Sequence, residues 1–263
     1  IPRKGEYGYD TWTTPGQAEA AGNMGAWCPM SADPELGLVY VGVESPPTDL
    51  LGVSRTGPHL FSESLVALDI ETGIRKWHYQ MIHHGIWDRD VSCAGVICDI
   101  PHDGKIIKAI AQPTKQGFVY VLDRTNGEFL LAKPFVKKIT WVDRFDPRTG
   151  EAHLVPGNTP TEEGTKTCPG VRGATNWYPT AFDPQTRLFY VMAAEDCGIY
   201  RSKGNIFGNN PDPSDPGLRL VRALNIETGD IVWEKPMPGP QETNYSGVLA
   251  TAGGLVFHGE VGG

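Results

Sequence analysis

The 263-residue chain lacks several features that would place it at once. No stretch approaches the ~18 consecutive apolar residues that a membrane span needs, so membrane association is not encoded in this segment. Lys and Arg form no cluster, and 23 basic against 31 acidic residues leave a net charge of -8. That balance argues against nucleic acid or an anionic lipid surface as partner. Sustained 3.6-residue apolar spacing is also missing, so helices should be few and short. The five cysteines, Cys28, Cys93, Cys98, Cys168 and Cys197, are too few for a disulfide scaffold and show no C-x-x-C zinc spacing. Their odd number leaves at least one thiol unpaired, and a Cys168–Cys197 bridge, open at this point, would indicate an oxidising compartment. Cys93 and Cys98 bracket a short apolar run, Ala-Gly-Val-Ile, and are expected as buried structural thiols. Neither a Cys-Cys pair nor a C-x-x-C-H haem site occurs. Ile1-Pro2-Arg3 carries no start Met or signal-peptide pattern, so the chain is expected to be a cut piece.

Glycine and proline are plentiful, at 32 and 22 residues, and they punctuate a repeat. Leu65-Val-Ala-Leu-Asp-Ile-Glu-Thr-Gly-Ile-Arg-Lys-Trp77, Val119-Tyr-Val-Leu-Asp-Arg-Thr-Asn-Gly-Glu128 and Val221-Arg-Ala-Leu-Asn-Ile-Glu-Thr-Gly-Asp-Ile-Val-Trp233 share one template. Each reads as strand, tight turn, strand, with the Gly supplying a positive-φ position and the Asp or Asn capping the turn. Gly73, Gly127 and Gly229 are 54 and 102 residues apart. That spacing predicts a period of about 50 residues with a degenerate copy at Phe145-Asp-Pro-Arg-Thr-Gly150. A second hairpin pattern interleaves at Ala32–Gly42, Phe182–Val191 and Gly253–Gly259. Four short antiparallel strands per repeat predict an all-β fold, a β-propeller of about five blades, as one domain over residues 1–263. Residues 156–167 and 204–217, rich in Gly, Pro, Asn and Thr, are expected as long surface loops. Repeats alone fit a non-catalytic interaction scaffold as well as an enzyme.

The segments between the repeats favour the enzyme. Gly25-Ala-Trp27, His83-His-Gly-Ile-Trp-Asp-Arg-Asp90, Gln112-Pro-Thr-Lys-Gln-Gly117 and Gly173-Ala-Thr-Asn-Trp-Tyr-Pro179 occur in that order. Together they resemble the pyrroloquinoline quinone (PQQ)-dependent dehydrogenases, eight-bladed quinoprotein propellers that oxidise alcohols and aldoses. The resemblance runs from Tyr9 to Gly259. It implies that this chain is an internal segment, inactive alone, of a periplasmic enzyme that passes electrons from a small alcohol or sugar to cytochrome c or another acceptor. The branch most similar, through His83–Asp90 and Thr114–Gly117, is glucose-dehydrogenase-like.

Carried over residue by residue, the resemblance assigns Trp27 to the indole under the quinone rings, a suitable surface for a planar tricycle. Lys115 matches the cation at the quinone oxygens, where charge develops on reduction. Asp88 matches the base that takes the hydroxyl proton. Asn176 and Trp177 match a cofactor-proximal pair, the Asn offering an amide. A hard cation, Ca²⁺ or a lanthanide, is implied, with Asp88 and Asp90 among its ligands. Ser45 stands where the family has an Asn ligand, and Glu44 beside it is a substitute. Asp90 is similar to the extra carboxylate of lanthanide-using members. Cys168 and Cys197 match a pair that is disulfide-bonded in the methanol-oxidising branch. His83 and His84 are read as structural, since neighbours on a strand face opposite ways and cannot easily serve one zinc.

Overall fold

A computed structural model describes residues 1–22, 24–47, 55–203, 206–237 and 246–259, with 206 and 207 described by backbone only. Its first sheet joins β1 (Ser31–Asp33), β2 (Leu38–Gly42), β3 (Ser64–Asp69) and β4 (Arg75–Gln80) in sequence order. The second joins β5 (Val96–His102), β6 (Lys105–Pro113), β7 (Phe118–Asp123) and β8 (Phe129–Pro134) in the same way. A hairpin, β9 (Val142–Phe145) with β10 (Ala152–Leu154), and a short strand β11 (Thr165–Thr167) follow. The third four-stranded sheet takes β12 (Ala181–Asp183) and β13 (Leu188–Ala194), sends out the hairpin β14 (Gly198–Lys203) and β15 (Ile206–Pro211), and resumes with β16 (Arg219–Asn225) and β17 (Ile231–Pro236). A last pair, β18 (Val248–Ala250) and β19 (Val256–His258), begins a further sheet. Every pairing between these strands is antiparallel.

The repeat is visible in register as well as order. The template hairpins pair Ala67 with Trp77, Val121 with Leu131 and Ala223 with Trp233, and each carries a bulge at the next position. Gly73, Gly127 and Gly229 have φ of 68°, 80° and 73°, the left-handed region a side chain resists. Asp69, Asp123 and Asn225 accept backbone N–H bonds from the residues that follow, which closes each turn. First strands of successive sheets touch, β1 with β5, β5 with β12 and β12 with β18, so the sheets stand side by side about a common axis as propeller blades do.

Alternation assigns the two faces of each blade. Phe118, Tyr120 and Leu122 of β7 join Tyr40, Leu65 and Ala67 in the core between the first two blades, while Val119 and Val121 join Phe189, Val191 and Leu224 on the other side. A strand buried on both faces reads as a continuous apolar run, and burial of each large side chain stabilises by about 1.5–3 kcal/mol.

Three expectations need correction. The described residues form three four-stranded blades and the first pair of another, in place of about five. Phe145–Gly150 is not a degenerate blade: it is the β9–β10 hairpin, held against the first blade by a Tyr79 hydroxyl bond to Gly150 O at 2.9 Å. The 102-residue gap therefore contains one blade plus insertions. The expected loop over 204–217, of which 204 and 205 lie outside the described residues, contains strand: β15 (Ile206–Pro211) pairs with β14, and β11 joins β14 on its other side. Helix is scarce, as expected: among the described residues only Tyr9–Thr11 and Gln17–Ala20 are helical, and no helix is long and apolar enough to cross a membrane.

Candidate active site

Antiparallel pairing gives each blade two ends. The tight turns after Asp33, Asp69, Asp123, Asp183 and Asn225 fall at one end, and the long connections at the other. All residues assigned to the site belong to the second end. Trp27 precedes β1, Glu44 and Ser45 follow β2, Asp88 and Asp90 precede β5, Lys115 lies in the β6–β7 connection, and Asn176 and Trp177 precede β12.

At the centre lies Lys115, with its side chain 5% exposed. Its ammonium is 3.1 Å from Asp88 Oδ2 and 3.4 Å from Asp90 Oδ2. Asp90 also accepts the Ser45 N–H at 2.8 Å through Oδ1. Asp88 is the more accessible carboxylate, its side chain 29% exposed, and its φ of 57° is one that few non-glycine residues adopt. Such backbone conformations collect at functional sites and persist where the surroundings impose them. The backbone at Lys115 is fixed from the third blade, since Ala174 N–H donates to Lys115 O at 2.9 Å. Gly173 permits this approach: a Cβ there would lie 2.6 Å from Lys115 Cβ.

The other assigned residues surround this group through the 88–93 segment. Cys28, next to Trp27, donates to Val91 O at 3.2 Å. Cys93 donates to Asn176 O at 2.5 Å. Trp27 is 47% and Trp177 41% exposed, so both present open aromatic surface. The Asn176 amide is engaged locally, its Nδ2 donating to Arg172 O and its Oδ1 accepting from Trp177 N–H, both at 2.9 Å. One Nδ2 proton remains for a cofactor oxygen. Burial pushes the Cys28, Cys93 and Cys98 thiols up from their ordinary values, which suits structural cysteines. Cys168 and Cys197 are disulfide-bonded beside the 170–173 turn. His83 and His84 lie in a turn, not on a strand, so the opposite-face argument does not apply to them; His84 Nδ1 is 3.1 Å from Gly57 O and His83 is exposed.

The proposed cation ligands are placed differently from one another. Asp88 and Asp90 share Lys115, whereas the Glu44 carboxylate turns back to the Gly25 N–H and the Ser45 hydroxyl donates to Glu63 Oε1 at 3.2 Å. Among the described residues no group of three or more His, Cys, Asp or Glu side chains is arranged to hold a metal. Two carboxylates are too few for the 6–8 oxygen ligands of Ca²⁺, so the donors present do not by themselves fit a cation. For PQQ the residues fit in kind: Trp27 and Trp177 expose indole surface and Lys115 supplies a buried ammonium.

Sequence reasoning missed Glu63 and Arg89. Glu63 is fully buried between two serines at the entry to β3, where a charged residue reads as exposed. Arg89 is also buried, its guanidinium 5.6 Å from the Trp87 ring and 5.5 Å from the Trp141 ring, donating to Pro169 O at 2.7 Å. Burial lowers its pKa from the ordinary value, with Tyr200 and Glu63 opposing. Nothing in Trp-Asp-Arg-Asp marks that arginine as interior.

Blades of this form with these loop residues define a quinoprotein-type propeller, and comparison with known proteins agrees. Residues 2–136 match the family model for the PQQ glucose/ethanol/alcohol dehydrogenase beta-propeller domain. The chain belongs to this family. It is 32% identical to quinohemoprotein alcohol dehydrogenase ADH IIB of Pseudomonas putida over 96% of the chain and 38% of that protein. With quinoprotein alcohol dehydrogenase PedH of Pseudomonas putida the identity is 34%, over 95% of the chain and 44% of that protein. The quinohemoprotein alcohol dehydrogenase structure from Comamonas testosteroni superposes with a TM-score of 0.85 at 30% identity, covering 95% of the chain and 40% of its own. A europium-containing methanol dehydrogenase gives 0.83 at 29%, covering 95% and 45%. The chain thus spans about two fifths of the length of the curated relatives it matches.

Proposed function

We propose that the whole protein is a PQQ-dependent dehydrogenase that oxidises an alcohol or aldose, with Asp88 as the base. The observation that carries this reading is the contact of Lys115 Nζ with Asp88 Oδ2 at 3.1 Å, within a ring of loops from three blades. Trp27 and Trp177 offer faces for the rings, and the remaining Asn176 proton meets a carbonyl. Lys115 compensates negative charge at the quinone oxygens and orients Asp88. Asp88, reachable from solvent, accepts the proton of the substrate hydroxyl. PQQ, when bound, supplies the acceptor for the hydride that leaves the carbinol carbon.

Among the described residues, Asp88 and Asp90 are the carboxylates beside Lys115 that would face a Ca²⁺ or lanthanide ion, and no step is assigned to such an ion. The Cys168–Cys197 bridge supports a periplasmic setting. A cytochrome c is the acceptor class that fits a two-electron donor in that compartment. The glucose-like branch assignment rests on His83–Asp90 and Thr114–Gly117 and extends the substrate range to aldoses. The test is to supply the intact protein with PQQ and follow dye reduction across alcohols and aldoses, with the retained quinone absorbance measured in parallel. Substrate-dependent reduction is expected. Retention of PQQ without turnover on any substrate would leave a binding scaffold, and failure to retain it would remove the reading altogether.

A further inference from the structure

Ser45 touches two buried carboxylates at once: its N–H donates to Asp90 Oδ1 at 2.8 Å and its hydroxyl to Glu63 Oε1 at 3.2 Å. From Asp90 the contacts continue to Lys115 at 3.4 Å and from there to Asp88 at 3.1 Å. Glu63 is therefore linked to the reacting group by one unbroken series of polar contacts.

The surroundings of Glu63 are built to hold it. Its backbone, at φ 47°, is fixed on both sides, with its N–H on Glu44 O at 3.0 Å and its carbonyl taking the Met81 N–H at 2.9 Å. Its carboxylate packs against Gly85, where a Cβ would fall 1.7 Å from Oε2. Gly85 is not among the positive-φ residues, so its missing side chain serves space and not a turn. Arg55 secures the same point by donating to Gly85 O at 2.8 Å. Three residues further on, the same segment delivers Asp88. A buried carboxylate is costly to keep unless hydrogen bonds and fixed charges compensate it, which makes an incidental Glu here physically expensive.

We propose that Glu63 is a positioning residue for the Asp88–Lys115–Asp90 group, acting through Ser45 on Asp90 and through Gly85 on the segment that carries Asp88. It rests on the reading of Asp88 as base for its effect on the reaction, but not for its effect on Lys115. With Glu63 or the Ser45 hydroxyl removed, the Ser45 backbone whose N–H holds Asp90 Oδ1 loses its anchor, and Asp90 and Lys115 gain freedom.

The test uses the intact protein with Ser45→Ala, Glu63→Ala, Glu63→Gln and the Ser45→Ala/Glu63→Ala double variant. The first readout needs no turnover: the rate at which an amine reagent modifies Lys115, followed by peptide mass spectrometry. Lys115 should react slowly in the parent and several-fold faster in Ser45→Ala and Glu63→Ala, with Glu63→Gln between. The double variant should react no faster than the faster single, because both act through one contact. The second readout is turnover with PQQ and an alcohol. Ser45→Ala should lose about tenfold to 100-fold in kcat with KM little changed, the scale expected of a misplaced reacting group. Unchanged Lys115 labelling in both single variants, or unchanged kcat in Ser45→Ala, would overturn the inference. If the parent protein shows no turnover, the functional reading fails, and the labelling result alone still decides whether Glu63 positions Lys115.

Discussion

The indole N–H of Trp77 donates to Arg124 O at 3.1 Å across the seam between the first and second blades. Its ring lies against Gly127, where a Cβ would come within 2.6 Å. The tryptophan of one template thus docks on the turn glycine of the next, and two marks of the repeat explain each other. Trp77→Ala is expected to lower stability by about 3–5 kcal/mol, and Trp77→Phe by less, since it keeps most of the ring contact. Urea denaturation of the intact protein measures both.

The second seam depends on charge. Arg222, 1% exposed, bonds Glu195 Oε1 and Phe135 O, both at 2.5 Å, while Glu195 also accepts the Lys137 N–H at 2.8 Å. Glu195→Ala leaves Arg222 its second partner, Glu234 Oε2 at 2.8 Å, whereas Arg222→Ala leaves the buried Glu195 carboxylate without its cation and should cost about 3–5 kcal/mol. A reciprocal Arg222→Met/Glu195→Leu pair should recover part of that loss in the same denaturation series.

Acid should weaken the fold in a defined window. His59, fully buried against the Trp12 ring and beside Arg55, is held neutral with its pKa lowered to about 4, first by burial and then by Arg55. Burial and Arg75 lower His78 to about 4 as well. The unfolded histidine titrates near 6.5, so between about 6.5 and 4 the unfolded chain binds more protons and stability falls as pH drops. Asp69, lowered to about 2 by the Thr72 hydroxyl and then Lys76, loses its contribution only at lower pH. Melting temperature against pH should decline through that upper window, and less steeply in His59→Gln. A parallel decline in parent and variant would exclude His59 as a cause.

The Cys168–Cys197 bridge closes a separation of 29 residues that includes the 170–173 turn against Lys115. By loop-closure entropy such a crosslink contributes about 3–4 kcal/mol. The Cys168→Ser/Cys197→Ser variant should therefore melt lower and bind PQQ less tightly, as calorimetry and cofactor fluorescence would show.

Much of the fold was legible because the template is local. Asp69 to Gly73, Asp123 to Gly127 and Asn225 to Gly229 contain their own turn chemistry, and alternation along β7 names its two faces. Blade number was not legible, because a turn such as Asp146–Gly150 forms equally well in an inserted hairpin and in a blade. Of the site, Asp88, Asp90 and Lys115 lie side by side. Glu44 turns its carboxylate to Gly25, and Ser45 meets Asp90 only through its backbone N–H while its hydroxyl goes to Glu63; both arrangements are set by contacts across the loop end. Glu63 itself carries no local pattern: only the space over Gly85 shows why a carboxylate can be buried there.

On the proposed function, Asp88 is the proton acceptor in a PQQ-dependent oxidation. The most direct measurement compares the intact protein with its Asp88→Asn form, both saturated with PQQ, by dye reduction with the best alcohol or aldose substrate. A general base contributes about 100-fold to 10,000-fold, so the variant should keep its quinone absorbance and lose at least that lower factor in kcat. Equal turnover by Asp88→Asn would contradict the assignment.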